Sequence, residues 1–179
     1  MDDIVKQAIA KWPGVPNCHG WLGLDARGNW YMRDDRVQAL GWFASGVPGC
    51  KGSLLQHDKL IAFIGRNYAA DALGQWFFQN GPQRVYVELE ATPLIWRVQP
   101  NLSLRDHIGR PARVQGGLVD EQGYLYLLTD TGFGLVHTQD VALAAEPIEQ
   151  GLWQVQEVMQ ADLPNRYGYQ KSPQLLYKK

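Results

Sequence analysis

A chain of 179 residues is long enough to bury a core without disulfide or metal staples, and 45% hydrophobic against 20% charged residues excludes a disordered chain or a membrane protein. The net charge of -1 argues against nucleic acid as a partner, because that binding draws largely on Lys and Arg neutralising phosphates. Asp2 and Asp3 open no basic leader, no apolar run approaches the roughly 18 residues of a membrane span, and Cys18 and Cys50 make no disulfide framework, so the expected setting is the cytoplasm, away from membranes.

Taken in chain order, residues 3–12 predict a helix with Ile4, Val5, Ala8, Ile9 and Trp12 on one stripe, stopped by Pro13. A strand at 21–24 leads into Asp25-Ala26-Arg27-Gly28, and another at 30–33 leaves it. Ser53 and Gln56 form a capping box that predicts a second helix over 53–65, with Leu60, Ile61 and Ile64 on one face. Asp71-Ala72-Leu73-Gly74 precedes a strand at 75–79, which runs into the turn Asn80-Gly81-Pro82 and returns over 84–90. That return strand alternates, with Val85, Val87 and Leu89 on one side and Tyr86, Glu88 and Glu90 on the other.

Further strands are expected at 94–98, 112–114 and 117–119, then at 124–129 and 134–138 around Asp120-Glu121-Gln122-Gly123. The stretches 44–52 and 99–117 read as long connections, segment 148–160 fits neither period, and the tail 173–179 is expected to be mobile. Asp25, Asp71 and Asp120 each open an Asp-x-x-Gly turn at near-regular spacing. In such a turn the Asp side chain accepts backbone N–H groups, and Gly takes the positive φ that closes a hairpin. These aspartates therefore read as structural. The expected fold is α+β and mostly β: antiparallel sheets built from three Asp-x-x-Gly hairpins with two or three short helices, in a single domain over 1–179. Seven Trp, eight Tyr and five Phe then read as rings packed in a sheet.

No serine sits in a nucleophile elbow. Cys18 beside His19 offers a thiol and a base, but neighbours in an extended chain point apart, which favours packing over catalysis. Cys18, His19, Cys50 and His57 lack paired metal-ligand spacing, and His107 and His137 are isolated, so no metal is expected. Gly132-x-Gly134 lacks the rest of a dinucleotide fingerprint, and no cofactor is expected. Glu88 and Glu90 share one strand face about 7 Å apart, a spacing open to acid/base work on a sugar, although alternation assigns them to the solvent side. The densest polar cluster is Arg66-Asn67-Tyr68, followed by Asn80 and Arg84. Arginine suits bidentate contacts, so these five are the expected binding residues for a carboxylate or phosphate.

The strings KWPGVPNC, GWLGLDARGNW, FIGRNY, WFFQNGPQRVYVELE and LVDEQGYLYLLTDTGFGLVH resemble a family of short proteobacterial proteins of unknown function. The resemblance implies a bacterial, stand-alone protein and supplies no catalytic residues, cofactor or partner. On the residues alone, the expectation is a non-enzymatic binding or interaction module for a small anionic ligand or a protein partner. The alternative is a hydrolase-like enzyme using Cys18 or the Glu88/Glu90 pair. Repeated hairpins leave strand pairing between two copies, a homodimer, open.

Overall fold

The computed structural model describes residues 1–177. Where the sequence shows no linker, the chain forms two compact units. The first takes residues 1–25, 29–90 and the segment from Tyr169 onward, and the second takes 26–28 and 91–168. Each carries one sheet. The fold is α+β and mostly β, with thirteen strands and six α-helices among the described residues, more helices than the two or three expected.

The first unit orders its strands β3-β2-β1-β6-β5-β4, from β1 (Cys18–Leu24), β2 (Trp30–Met32), β3 (Ser53–Leu54), β4 (Tyr68–Ala70), β5 (Trp76–Asn80) and β6 (Gln83–Leu89). All pairs are antiparallel except β1 with β6. β6 is thus an interior strand, and its second half is buried on both faces. Leu24, Trp30, Val87 and Leu89 form the centre of the core.

Helix α1 (Asp3–Lys11) buries only Val5 fully, while Ile4 (71%) and Trp12 (52%) stand in solvent. Helix α2 (Asp35–Leu40) starts where Asp34 caps the Val37 N–H. The capping box at Ser53 does not start a helix: Ser53 pairs with Met32 in β3, and α3 (Asp58–Arg66) begins at His57, whose Nδ1 accepts the Leu60 N–H. The pairing of β3 with β2 takes precedence over the local signal.

The second unit orders its strands β13-β10-β11-β12-β7-β8-β9, from β7 (Leu94–Val98), β8 (Leu104–Asp106), β9 (Pro111–Ala112), β10 (Val114–Asp120), β11 (Leu125–Thr129), β12 (Gly132–Val136) and β13 (Val155–Val158). Helices α4 (Val141–Glu149) and α5 (Leu163–Tyr167) belong to it. The ambiguous segment 148–160 resolves into the end of α4 and the edge strand β13. Helix α6 (Pro173–Tyr177), in the first unit, buries Pro173 and Gln174, so this part of the expected tail is helical, and residues 178 and 179 lie outside the described residues.

Five-residue turns organise both sheets. Asp25 N–H donates to Asn29 O, Asp71 N–H to Gln75 O and Asp120 N–H to Tyr124 O, and each Asp Oδ1 accepts the N–H four residues on. They join β1 to β2, β4 to β5 and β10 to β11. A fourth turn, Asp106-His107-Ile108-Gly109, joins β8 to β9 within the stretch read as a long connection. All four glycines hold φ between 74° and 87°. Asp106 is buried, and it accepts the Ile108 and Arg110 N–H groups on Oδ1 and Arg110 Nε on Oδ2. Asp106→Ala strands these donors and should cost about 1–3 kcal/mol in urea denaturation, with Asp106→Asn costing less because its amide oxygen still accepts.

Candidate functional site

The five expected binding residues do not gather around one concavity. Arg66, at the end of α3, pairs with Asp2 at 3.1 Å. Asn67 is buried: its Oδ1 accepts the Asp2 N–H, its Nδ2 donates to Phe63 O, and its carbonyl accepts the Gln79 N–H. Tyr68 lies in the core, edge-on to Trp30 and tilted against Trp76. Asn80 is exposed where β5 turns into β6, and the exposed Arg84 stands 4.5 Å from the Phe77 ring. Three of the five therefore already serve the fold.

The groups of the hydrolase alternative are similarly committed. Burial pushes the Cys18 thiol up, away from the thiolate that a nucleophile needs, and Cys50 donates its thiol to Phe43 O. His19 stacks between Tyr86 and Tyr177, with ring centroids 4.7 and 4.3 Å away, and burial holds its imidazole below the ordinary range. The expectation for Glu88 is corrected: it is buried, not on a solvent face, because β6 is covered on both sides. It accepts from Ser172 Oγ and the Gln174 N–H, while half-exposed Glu90 pairs with Lys51 at 2.7 Å. Among the described residues no three His, Cys, Asp or Glu side chains converge as metal ligands.

The second unit holds two larger concavities of similar size. One, about 630 Å³, gathers Asp120, Glu121, Glu157 and Asp162 with Arg166 beside Val158 and Met159. Asp120 is spent on its turn and on Tyr126 Oη and Gln160 Nε2, and Glu121 accepts the Gln160 N–H. An excess of carboxylates suits neither an anion nor an apolar ligand.

The other concavity, about 590 Å³, has a mixed lining in which polar and apolar surface are about equal. Its apolar lining includes buried Leu104, half-buried Val114 and Trp153, and exposed Leu152. Its polar groups are Ser103, Arg113 and Asp130. Asp130 Oδ1 accepts the Arg113 N–H at 2.8 Å, and Asp130 N–H donates to Arg113 O, which fixes the backbone under the arginine. The Arg113 guanidinium is exposed, and among the described residues it has no carboxylate within ion-pair distance.

Leu102, on the rim of this cleft, is the one non-glycine residue with positive φ among the described residues, at 61°. It occupies a fifth five-residue turn, in which Gln99 N–H donates to Ser103 O and Leu102 N–H to Gln99 O. Its place is the one filled by Gly74, Gly109 and Gly123 in the turns at Asp71, Asp106 and Asp120. A leucine there costs about 1–2 kcal/mol of backbone strain. Sequence reading missed this site because Leu102, Arg113 and Trp153 are far apart in the chain and the sheet order brings them together. The signal it left was a turn-like Gln-Pro-Asn followed by leucine where glycine is usual.

Fold and cleft define a two-sheet α+β protein with a mixed concavity in its second unit, in which Arg113 and Asp130 stand among apolar side chains. The chain belongs to the DUF2944 family, described as "Protein of unknown function (DUF2946)", whose profile matches residues 1–174. No functionally curated protein matches it. A DUF1285 family protein from Silicibacter pomeroyi DSS-3 shares the fold, with TM-score 0.50 and 10% identity over 82% of this chain and 84% of that one. A DUF1285 family protein from Shewanella baltica OS155 gives TM-score 0.45 and 16% identity over 70% of this chain and 91% of that one.

Proposed function

We propose that this protein is a non-enzymatic binding module that takes a small ligand with an anionic group in the 590 Å³ cleft, anchored by Arg113. The observation that carries this is a guanidinium with no ion-pair partner among the described residues, on a cleft that also presents apolar surface from Leu102, Leu104, Val114, Leu152 and Trp153. A charge beside low-dielectric walls attracts an opposite charge more strongly than one facing open water. The reading moves the anionic site from Arg66 and Arg84, where one arginine is already paired and the other lines neither of the two concavities described. It sets the hydrolase reading aside because Cys18 is shifted away from reactivity and Glu88 and Glu90 are bound to separate partners. A bacterial, cytoplasmic setting belongs to the same proposal, supported by the sequence resemblance and by two cysteines that remain thiols.

The test uses 8-anilinonaphthalene-1-sulfonate, an aromatic monoanion whose fluorescence rises in apolar sites. Wild-type protein should bind it saturably, and Arg113→Met should weaken binding at least tenfold while leaving the melting temperature unchanged within about 2 °C. Equal binding by Arg113→Met, or amide shifts centred on Arg66 and Arg84 instead of residues 102–114 and 152–153, would remove the site.

A further inference from the structure

We propose that the cleft is built for amphipathic carboxylates, with an apolar body against Trp153 and Leu102 and the carboxylate at Arg113, and that Leu102 sets this preference. The inference rests on the reading of Arg113 as an anion anchor and adds the class of ligand to it.

The turn at residues 99–103 makes the same closing hydrogen bonds as the Asp71, Asp106 and Asp120 turns, and those three place glycine at the left-handed position. The fold therefore closes this turn without strain when glycine is present. Leucine at that position adds a side chain and nothing the turn requires. Core packing does not offset the strain either, since Leu102 is only half-buried and its side chain lines the cleft. Strained residues persist at ligand-binding positions where the side chain they present contributes to binding.

The remaining walls set the ligand's character. Trp153 offers a ring and Leu104 and Val114 an aliphatic surface, while exposed Leu152 lines the same cleft. Its volume lies within the range of roughly 300–1,000 Å³ that encloses small organic molecules. Asp130, on the same lining, weighs against a dianionic head, and Ser103 also lines the cleft.

The experiment titrates the protein with indole-3-acetate, acetate and tryptamine, following the Trp153 indole N–H and backbone amides by NMR. Indole-3-acetate should shift Trp153 and the amides of residues 102–114 and bind at least tenfold tighter than acetate, and tryptamine should not saturate the site. Leu102→Gly should raise the melting temperature by about 2–4 °C yet weaken indole-3-acetate roughly tenfold. Leu102→Ala keeps the strain and removes the wall, so it should lose the same affinity without the gain in stability. Acetate binding as tightly as indole-3-acetate overturns the amphipathic class, and unchanged affinity in both Leu102 variants overturns the role of Leu102, both with Arg113 still required. Indole-3-acetate binding that is indifferent to Arg113→Met overturns the anchor reading itself.

Discussion

Replacing Glu88 with alanine should cost the first unit about 2–5 kcal/mol, a large share of the 5–15 kcal/mol that holds a typical domain folded, because two donors lose their acceptor. Glu88 is fully buried, and it accepts from Ser172 Oγ and, at 2.9 Å, from the Gln174 N–H. Arg33, 1% exposed, donates from Nε to Cys50 O and from Nη1 to Gly20 O and Gln174 Oε1. Burial pulls the Arg33 guanidinium below its ordinary range, and the Glu88 charge opposes that pull. Alanine strands the Ser172 hydroxyl and the Gln174 N–H and removes a charge that favours the Arg33 cation without touching it. The same change releases the returning segment, which otherwise donates to Glu88 and accepts the Leu89 N–H at Lys171 O.

Urea denaturation followed by tryptophan fluorescence measures the loss, and hydrogen exchange at Gln174 measures the release. Glu88→Gln keeps an acceptor for the Gln174 N–H but no charge, so it should fall between alanine and wild type. A loss under about 1 kcal/mol with Gln174 still protected would show that the two donors find other acceptors and that Glu88 does not hold the returning segment.

The same carboxylate shows why a single sequence misplaces charge. Alternation along 84–90 correctly separates two faces, but alternation cannot tell whether the second face meets water or another layer. In the first unit β6 lies between β1 and β5, and α6 with the residues before it covers the Glu88 side. That cover comes from residues 172–174, more than eighty positions away.

Local chemistry was more legible. The strand at 94–98 coincides with β7, and most other strands fall within a few residues of their expected places because turn residues punctuate them. The fourth turn is hidden because Gly109 is followed by Arg110 and Pro111 instead of large apolar residues, so β8 reads as connection and β9 only overlaps the strand expected at 112–114. The helix expected from Ser53 failed for the opposite reason: a sound local signal was overridden by pairing with Met32. The candidate cleft had no local signal strong enough to find it. Arg113 is one arginine among many in sequence, and it becomes distinctive only once Asp130 is seen to spend Oδ1 on its backbone and Trp153 to line the same cleft.

The second large effect should come from Trp96→Ala, which should cost the second unit about 3–5 kcal/mol. Trp96 is fully buried in β7, an interior strand between β12 and β8, and its Nε1 donates to Leu127 O at 3.1 Å. Its setting resists collapse. On the neighbouring strand β12 a Cβ added at Gly134 would come within 2.4 Å of Leu94 O and 2.8 Å of Trp96 Nε1, so the two strands fit because position 134 has no side chain. Backbone held this closely by parallel pairing cannot move in to fill the space an indole leaves, and the cost of a core truncation rises with the volume that stays empty. Trp96→Phe retains most of the apolar area and loses the Nε1 donor, so about 1–2 kcal/mol is expected from it. Chemical denaturation of the three proteins orders them directly, and hydrogen exchange should rise at 125–129 and 132–136 in the alanine variant. If Trp96→Ala and Trp96→Phe lost the same stability, the indole's contribution would lie in its hydrogen bond, and the tight approach at Gly134 would have no energetic consequence for this core.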